Sequence, residues 1–351
     1  MLEQPPRPVK GQNLVAVSVG TYNGEQRKRP EQRKGEITKA RNHERRHAMK
    51  TRIDRRDFLK VAGAAGAGAG LASMGMPSLW AAEYANGTPV AEKLGWRVAC
   101  CAYTFNQFTF YEALERTASL GLKLVEGFSW QPVSKEKADG QTNETMSAAV
   151  CEQVKKRLAD TGMKLAGFYM AEMPNNQDVC RKKFEWAKKL GVEYFVTEPP
   201  LAAMDMVARL CDEYEICIAI HNHPKPSSVY WDPETVVKAT KGRTKRLGDC
   251  ADTGHWVRSG LDPVECVKKL EGRLVSFHLK DITEVGKVDA PDVPWGAGKG
   301  NVEGVLREVY RQKAKPVFGI EYEQHGETRP DLAKCLAFID KVAGKLMDGS
   351  K

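Results

Sequence analysis

Net charge is what the body of this 351-residue chain lacks. The whole sequence carries a formal +9, but residues 1–60 hold 16 Lys and Arg against 7 Asp and Glu, and the remainder balances at 38 against 38. A neutral body has no electrostatic footprint for phosphate backbones, so nucleic-acid binding loses its main support. The nine cysteines include no Cys-x-x-Cys pair, which argues against a zinc-thiolate site. Their odd number argues for buried free thiols, and adjacent Cys100 and Cys101 point to opposite faces of a strand and cannot readily bond each other. No Arg or Lys cluster marks a phosphate pocket. Long apolar runs are missing too: the stretch up to Ala82 is diluted by glycine and Pro77, too weak for a stable membrane span of about 20 residues.

What is present begins with a leader. Asp54-Arg55-Arg56-Asp57-Phe58-Leu59-Lys60, followed by an uncharged Gly/Ala-rich stretch over 61–71, resembles a twin-arginine export signal. We expect the signal over 49–82, with cleavage near Ala81 or Ala82. Residues 1–48 have no apolar period and read as a disordered or mis-called extension upstream of Met49. The export machinery is thus an expected partner, and the periplasm or beyond the expected destination.

The body, 94–346, has the size of one (β/α)₈ TIM barrel of class α/β. Apolar runs predict strands over 98–103, 122–126, 165–169, 194–197, 216–221, 247–251, 274–278 and 317–321. Amphipathic stretches predict helices over 110–119, 145–161, 179–190, 201–214, 233–240, 263–270, 302–311 and 331–346. Gly121, Gly162 and Gly191 each follow a helical stretch as a left-handed cap would. This repetition argues for parallel strands joined by right-handed crossovers.

Barrel enzymes place their chemistry at the carboxyl ends of the strands. His221, Asp252, His278 and Glu321 close four consecutive runs, and two imidazoles with two carboxylates suit a divalent metal of intermediate softness, such as Mn, Zn, Co or Fe. Glu126 and Glu198 end two other strands. His255 lies three residues past Asp252, and His223 two past His221; both are assigned to substrate or to support of a ligand. Lys280 follows His278 closely enough to stabilise negative charge developing on a substrate oxygen. Trp130, Trp231, Trp256, Trp295 and Tyr322 fall in or near the same loops, where flat rings could stack on a sugar.

These residues resemble the xylose isomerase-like barrels, which include tagatose and psicose epimerases, hydroxypyruvate isomerases, inosose dehydratases and the endonuclease IV group. The resemblance spans about 96–346. Its most specific pieces are Asp252-Thr253-Gly254-His255, Phe277-His278-Leu279-Lys280-Asp281, Gly319-Ile320-Glu321-Tyr322 and the glycine-rich Trp295-Gly-Ala-Gly-Lys-Gly300. It implies Asp252, His278 and Glu321 as metal ligands. His221 stands where the sugar epimerases have one of the two glutamates that shuttle a proton across an enediolate. The substitution lowers the negative charge around an ion by one, which strengthens it as a Lewis acid.

The expected function is therefore a metal-dependent sugar isomerase or epimerase that removes a proton beside a carbonyl, with Glu321 or Glu198 as base and Lys280 as electrostatic aid. Glu126, His223, His255 and Trp295 would contact the sugar. The rival outcome is a lyase or dehydratase that expels a β-oxygen from a keto-sugar or 3-keto-glycoside. A phosphodiesterase would need more metal ligands and a basic groove. A non-catalytic sugar-binding barrel is the third class, and a homo-oligomer is left open.

Overall fold

The computed structural model describes residues 86–349; the expected upstream extension, 1–48, and the whole of the expected leader, 49–82, lie outside them. Eight parallel strands close a barrel: β1 (Arg97–Cys101), β2 (Leu124–Phe128), β3 (Lys164–Tyr169), β4 (Tyr194–Thr197), β5 (Cys217–His221), β6 (Leu247–Asp252), β7 (Leu274–Leu279) and, after a short antiparallel hairpin of β8 (Asp281–Ile282) and β9 (Asp292–Val293), β10 (Val317–Ile320), which pairs with both β7 and β1. All eight expected strands are present.

The helices follow from local chemistry. In chain order they are α1 (Pro89–Lys93), α2 (Phe110–Ser119), α3 (Ala148–Asp160), α4 (Gln177–Leu190), α5 (Met204–Tyr214), α6 (Pro233–Thr240), α7 (Thr253–Arg258), α8 (Pro263–Lys269), α9 (Val302–Arg311) and α10 (Arg329–Met347). Thr109 and Glu112 close a capping box on α2, and Asp232 and Asp262 cap α6 and α8 ahead of a proline in the first turn. Gly121, Gly162 and Gly191 take φ of 77°, 67° and 76°, the left-handed conformation expected of them. Phe168, Phe195, Ile218, Phe277 and Phe318 of the strands are buried in one cluster with Phe184, Val207, Val267 and Ile339 of the helices. Fully burying each such side chain stabilises by roughly 1.5–3 kcal/mol. Inside the barrel, Ala99, Ala166, Ala219 and Cys250 leave room for Tyr194, whose ring passes so close to Gly167 that an added Cβ would stand 2.3 Å from it. All nine cysteines are free, and all but Cys217 are buried.

Two local expectations are corrected. β1 stops at Cys101 rather than at 103, because Thr104 turns inward to donate to the Ile320 carbonyl and accept from the Tyr322 amide. The segment after β6, expected as a loop, is α7: Asp252 ends the strand and also caps the helix through Oδ1, 2.7 Å from the His255 amide. No helix of the described residues is long and apolar enough to cross a membrane.

Asp249, on β6, is wholly buried, and neither carboxylate oxygen has a hydrogen-bond partner among the described residues. Burial pushes its pKa well above the ordinary value. The folded state keeps a proton that the unfolded chain releases above about pH 4. That contribution to stability is therefore full below the unfolded pKa and is lost as pH rises towards the folded one. Asp249→Asn is expected to remove this decline in thermal melts, gaining on the parent protein steadily from about pH 5 upward; parallel pH profiles would contradict it.

Candidate metal centre and cleft

Register places the four strand-end donors together. Asp252 pairs with His278, His278 pairs with Gly319 two residues before Glu321, and His221 pairs with Cys250 two residues before Asp252. One donor atom from each of His221, Asp252, His278 and Glu321 falls within 4.8 Å of the others, and all four residues are buried. His278 Nδ1 lies 3.0 Å from Glu321 Oε2 and 3.9 Å from Asp252 Oδ2, and His221 Nε2 lies 3.5 Å from Asp252 Oδ2. His221 Nε2 has no hydrogen-bond partner among the described residues, whereas His278 Nδ1 faces Glu321 and Asp252 Oδ2 faces the Lys280 ammonium. Two imidazoles and two carboxylates that converge from four neighbouring strands are the donor set of a divalent ion of intermediate softness, so these residues fit one.

Both imidazoles are held from behind by a carboxylate. Glu126 Oε1 sits 2.6 Å from His278 Nε2, which leaves Nδ1 facing the centre. Glu198 Oε1 sits 3.5 Å from His221 Nδ1 and also bonds His223, while its Oε2 accepts from Ser228. A carboxylate behind a ligating histidine fixes its tautomer and raises its basicity. Burial pushes Glu198 up, but the hydrogen bonds to His221 and His223 outweigh it and hold the carboxyl below the usual range.

Lys280 is fully buried, with its ammonium 3.1 Å from Asp252 Oδ2, 2.6 Å from Glu321 Oε2 and 3.2 Å from Glu323 Oε2. Burial alone would lower its pKa; Asp252, Glu321 and Glu323 raise it well above normal, so the charge is permanent. Its backbone is pinned to α7 through Thr253 Oγ1, at 2.7 and 2.9 Å. Only glycine allows that approach: a Cβ on Gly254 would stand 2.8 Å from the Lys280 Cβ. Arg258 of α7 reaches Asp292 at 2.7 Å and the Ala290 carbonyl, tying the hairpin to the same helix, and its Nη1 lies 3.3 Å from His255 Nδ1. Burial holds the His255 pKa well below the imidazole value, so that ring is neutral.

The centre forms the floor of an open cleft. One wall is polar: His221, His223, His255, Glu321 and Glu323. The other is aromatic: Tyr103, Phe128, Trp130 and Tyr169. Glu126 also lines it. Of the expected site residues, Trp295 is misplaced: it is buried in the core, with Nε1 donating to the Leu279 carbonyl at 2.9 Å. Trp256 and Tyr322 are likewise packing residues. Glu198 stands behind His221, not on the cleft wall. Phe128 and Tyr169 had a readable signal, since they close β2 and β3 as His221 and Asp252 close β5 and β6, but polar strand ends alone drew the expectation. Glu323 lies two residues past Glu321.

A parallel eight-stranded barrel with a His/Asp/Glu cluster at the carboxyl ends of its strands is the architecture of a metal-binding TIM barrel. The chain belongs to the xylose isomerase-like TIM barrel family, whose profile matches residues 114–342. A twin-arginine translocation signal sequence matches residues 52–72 and indicates export. An uncharacterized protein from Parabacteroides distasonis is 32% identical, over 70% of this chain and 98% of that one, with a TM-score of 0.58. A D-tagatose 3-epimerase-like protein (17% identity, 72% and 99% covered, TM-score 0.56) shares the fold, as does a xylose isomerase-like barrel protein from Mycobacterium smegmatis solved with magnesium (15%, 71% and 96%, TM-score 0.56). No curated protein matches.

Proposed function

We propose that this chain is a divalent-metal-dependent enzyme of the periplasm that removes a proton beside the carbonyl of a sugar or keto-sugar, with isomerisation or epimerisation as the outcome. The observation that carries this reading is the convergence of His221, Asp252, His278 and Glu321 on the floor of a cleft with an aromatic wall. A divalent ion held there would act as a Lewis acid towards a carbonyl oxygen. Glu321 faces the cleft and takes the proton from the neighbouring carbon; Lys280, buried behind it, holds the Asp252 and Glu321 carboxylates in place and charged. His255, kept neutral, offers a hydrogen bond to a sugar hydroxyl. Glu126 and Glu198 orient the two ligating imidazoles, and the Mycobacterium relative's magnesium fits a family in which such centres hold metal.

Elimination of a β-oxygen is the second reading, and one feature favours it. Where a two-base epimerisation wants a second carboxylate, the structure presents His221, with Glu198 turned behind it. Without a second carboxylate to return the proton to carbon, expulsion of a β-oxygen competes. Turnover in deuterated water separates these outcomes. Deuterium at the carbon beside the carbonyl, in a product of unchanged skeleton, is the isomerase result; loss of the β-substituent is the lyase result. Turnover with no solvent deuterium at all contradicts proton abstraction.

A further inference from the structure

We infer that the cleft is built for an uncharged glycoside, with Trp130 as the platform for the second ring, the group attached to the sugar that reacts on the metal floor. This deepens the functional reading above and rests on it. Above the metal floor the cleft is open to solvent along the wall formed by Tyr103, Phe128, Trp130 and Tyr169. Trp130 stands on the aromatic wall, 41% exposed, with its indole fixed by edge-on contacts to Phe128 (4.9 Å), Tyr169 (5.6 Å) and Tyr103 (6.0 Å). A large apolar ring that is immobilised and still open presents surface for stacking at little entropic cost.

The same cleft is closed to phosphate. No Lys or Arg is among its lining residues. Lys280 is saturated by three carboxylates, and Arg258 by Asp292 and the Ala290 carbonyl. The glycine-rich loop after β9 points three amides, of Gly296, Gly298 and Gly300, at one spot as an anion-binding loop does. That spot is filled from within by the Asp281 carboxylate, at 2.9, 2.9 and 2.7 Å. Each feature that could have held a phosphate is already neutralised, while Glu321 and Glu323 repel an anion at the cleft.

The test is equilibrium binding to the metal-loaded mature protein of three probes: an aryl 3-keto-glucoside, free 3-keto-glucose and a hexose 6-phosphate. The aryl glycoside is expected to bind about tenfold tighter than the free sugar, and Trp130→Ala to erase that ratio while Trp130→Phe keeps most of it. The sugar phosphate is expected to bind more weakly than either. An unchanged ratio in Trp130→Ala, or preference for the phosphate, overturns the inference. Absence of solvent exchange into either bound keto-sugar would instead overturn the functional reading and leave the binding ratio to be judged on its own.

Discussion

Replacing Lys280 by Met is expected to destabilise the metal-free protein by about 3–5 kcal/mol, a drop on the order of 10 °C in Tm. The ammonium is the one cation within 3.2 Å of Asp252, Glu321 and Glu323 among the described residues, and it is fully buried. Methionine fills similar volume but leaves adjacent buried carboxylates uncompensated. A divalent ion and the ammonium draw on the same oxygens, so the variant should also bind Mn or Zn at least about tenfold more tightly, and saturating metal should recover most of the lost Tm. Turnover should still be low, because Glu321 loses the ammonium that holds its carboxylate in place. Unchanged melting of the metal-free variant, together with unchanged metal affinity, would contradict the role given to Lys280.

Glu321→Gln is expected to lower kcat/KM by about 10³–10⁴-fold and to abolish solvent deuterium exchange. Glu321 faces the cleft and contributes a donor oxygen to the centre. Glutamine keeps the size and one oxygen but cannot accept a proton from carbon. Glu198→Gln is the informative comparison. Its oxygens are engaged by His223, Ser228 and His221, so its loss should loosen His221, with a loss of about 10–100-fold that extra metal partly restores. If the two variants traded places, with Glu198→Gln silent in exchange and Glu321→Gln rescued by metal, Glu198 would be the base.

The barrel was legible because its signals are local. Apolar runs, the Asp-Pro starts of α6 and α8 and the glycines that end α2, α3 and α4 can each be read within a few residues. The four donors were legible for the same reason, since closing a strand is a sequence position as well as a place in space. What could not be read depends on partners far along the chain. Glu126 was expected at the sugar; it does line the cleft, but it also braces His278, 152 residues away. Trp295 was expected in the cleft, but its indole N–H serves the Leu279 carbonyl. The glycine run beside it answers to Asp281, a residue whose position carried no periodic signal. The aromatic wall was overlooked because Tyr103, Phe128 and Tyr169 look like core in a sequence, where buried and cleft-facing rings are spelled alike.

Elemental analysis of the purified mature protein tests the centre most directly. Close to one divalent ion per chain is expected in the parent protein and less than about a tenth of that in His278→Ala, with circular dichroism showing the barrel intact in both. A parent protein that binds no divalent ion even when supplied with Mn, Zn, Co or Fe, or a His278→Ala variant that keeps its full complement, would contradict the assignment of these four residues.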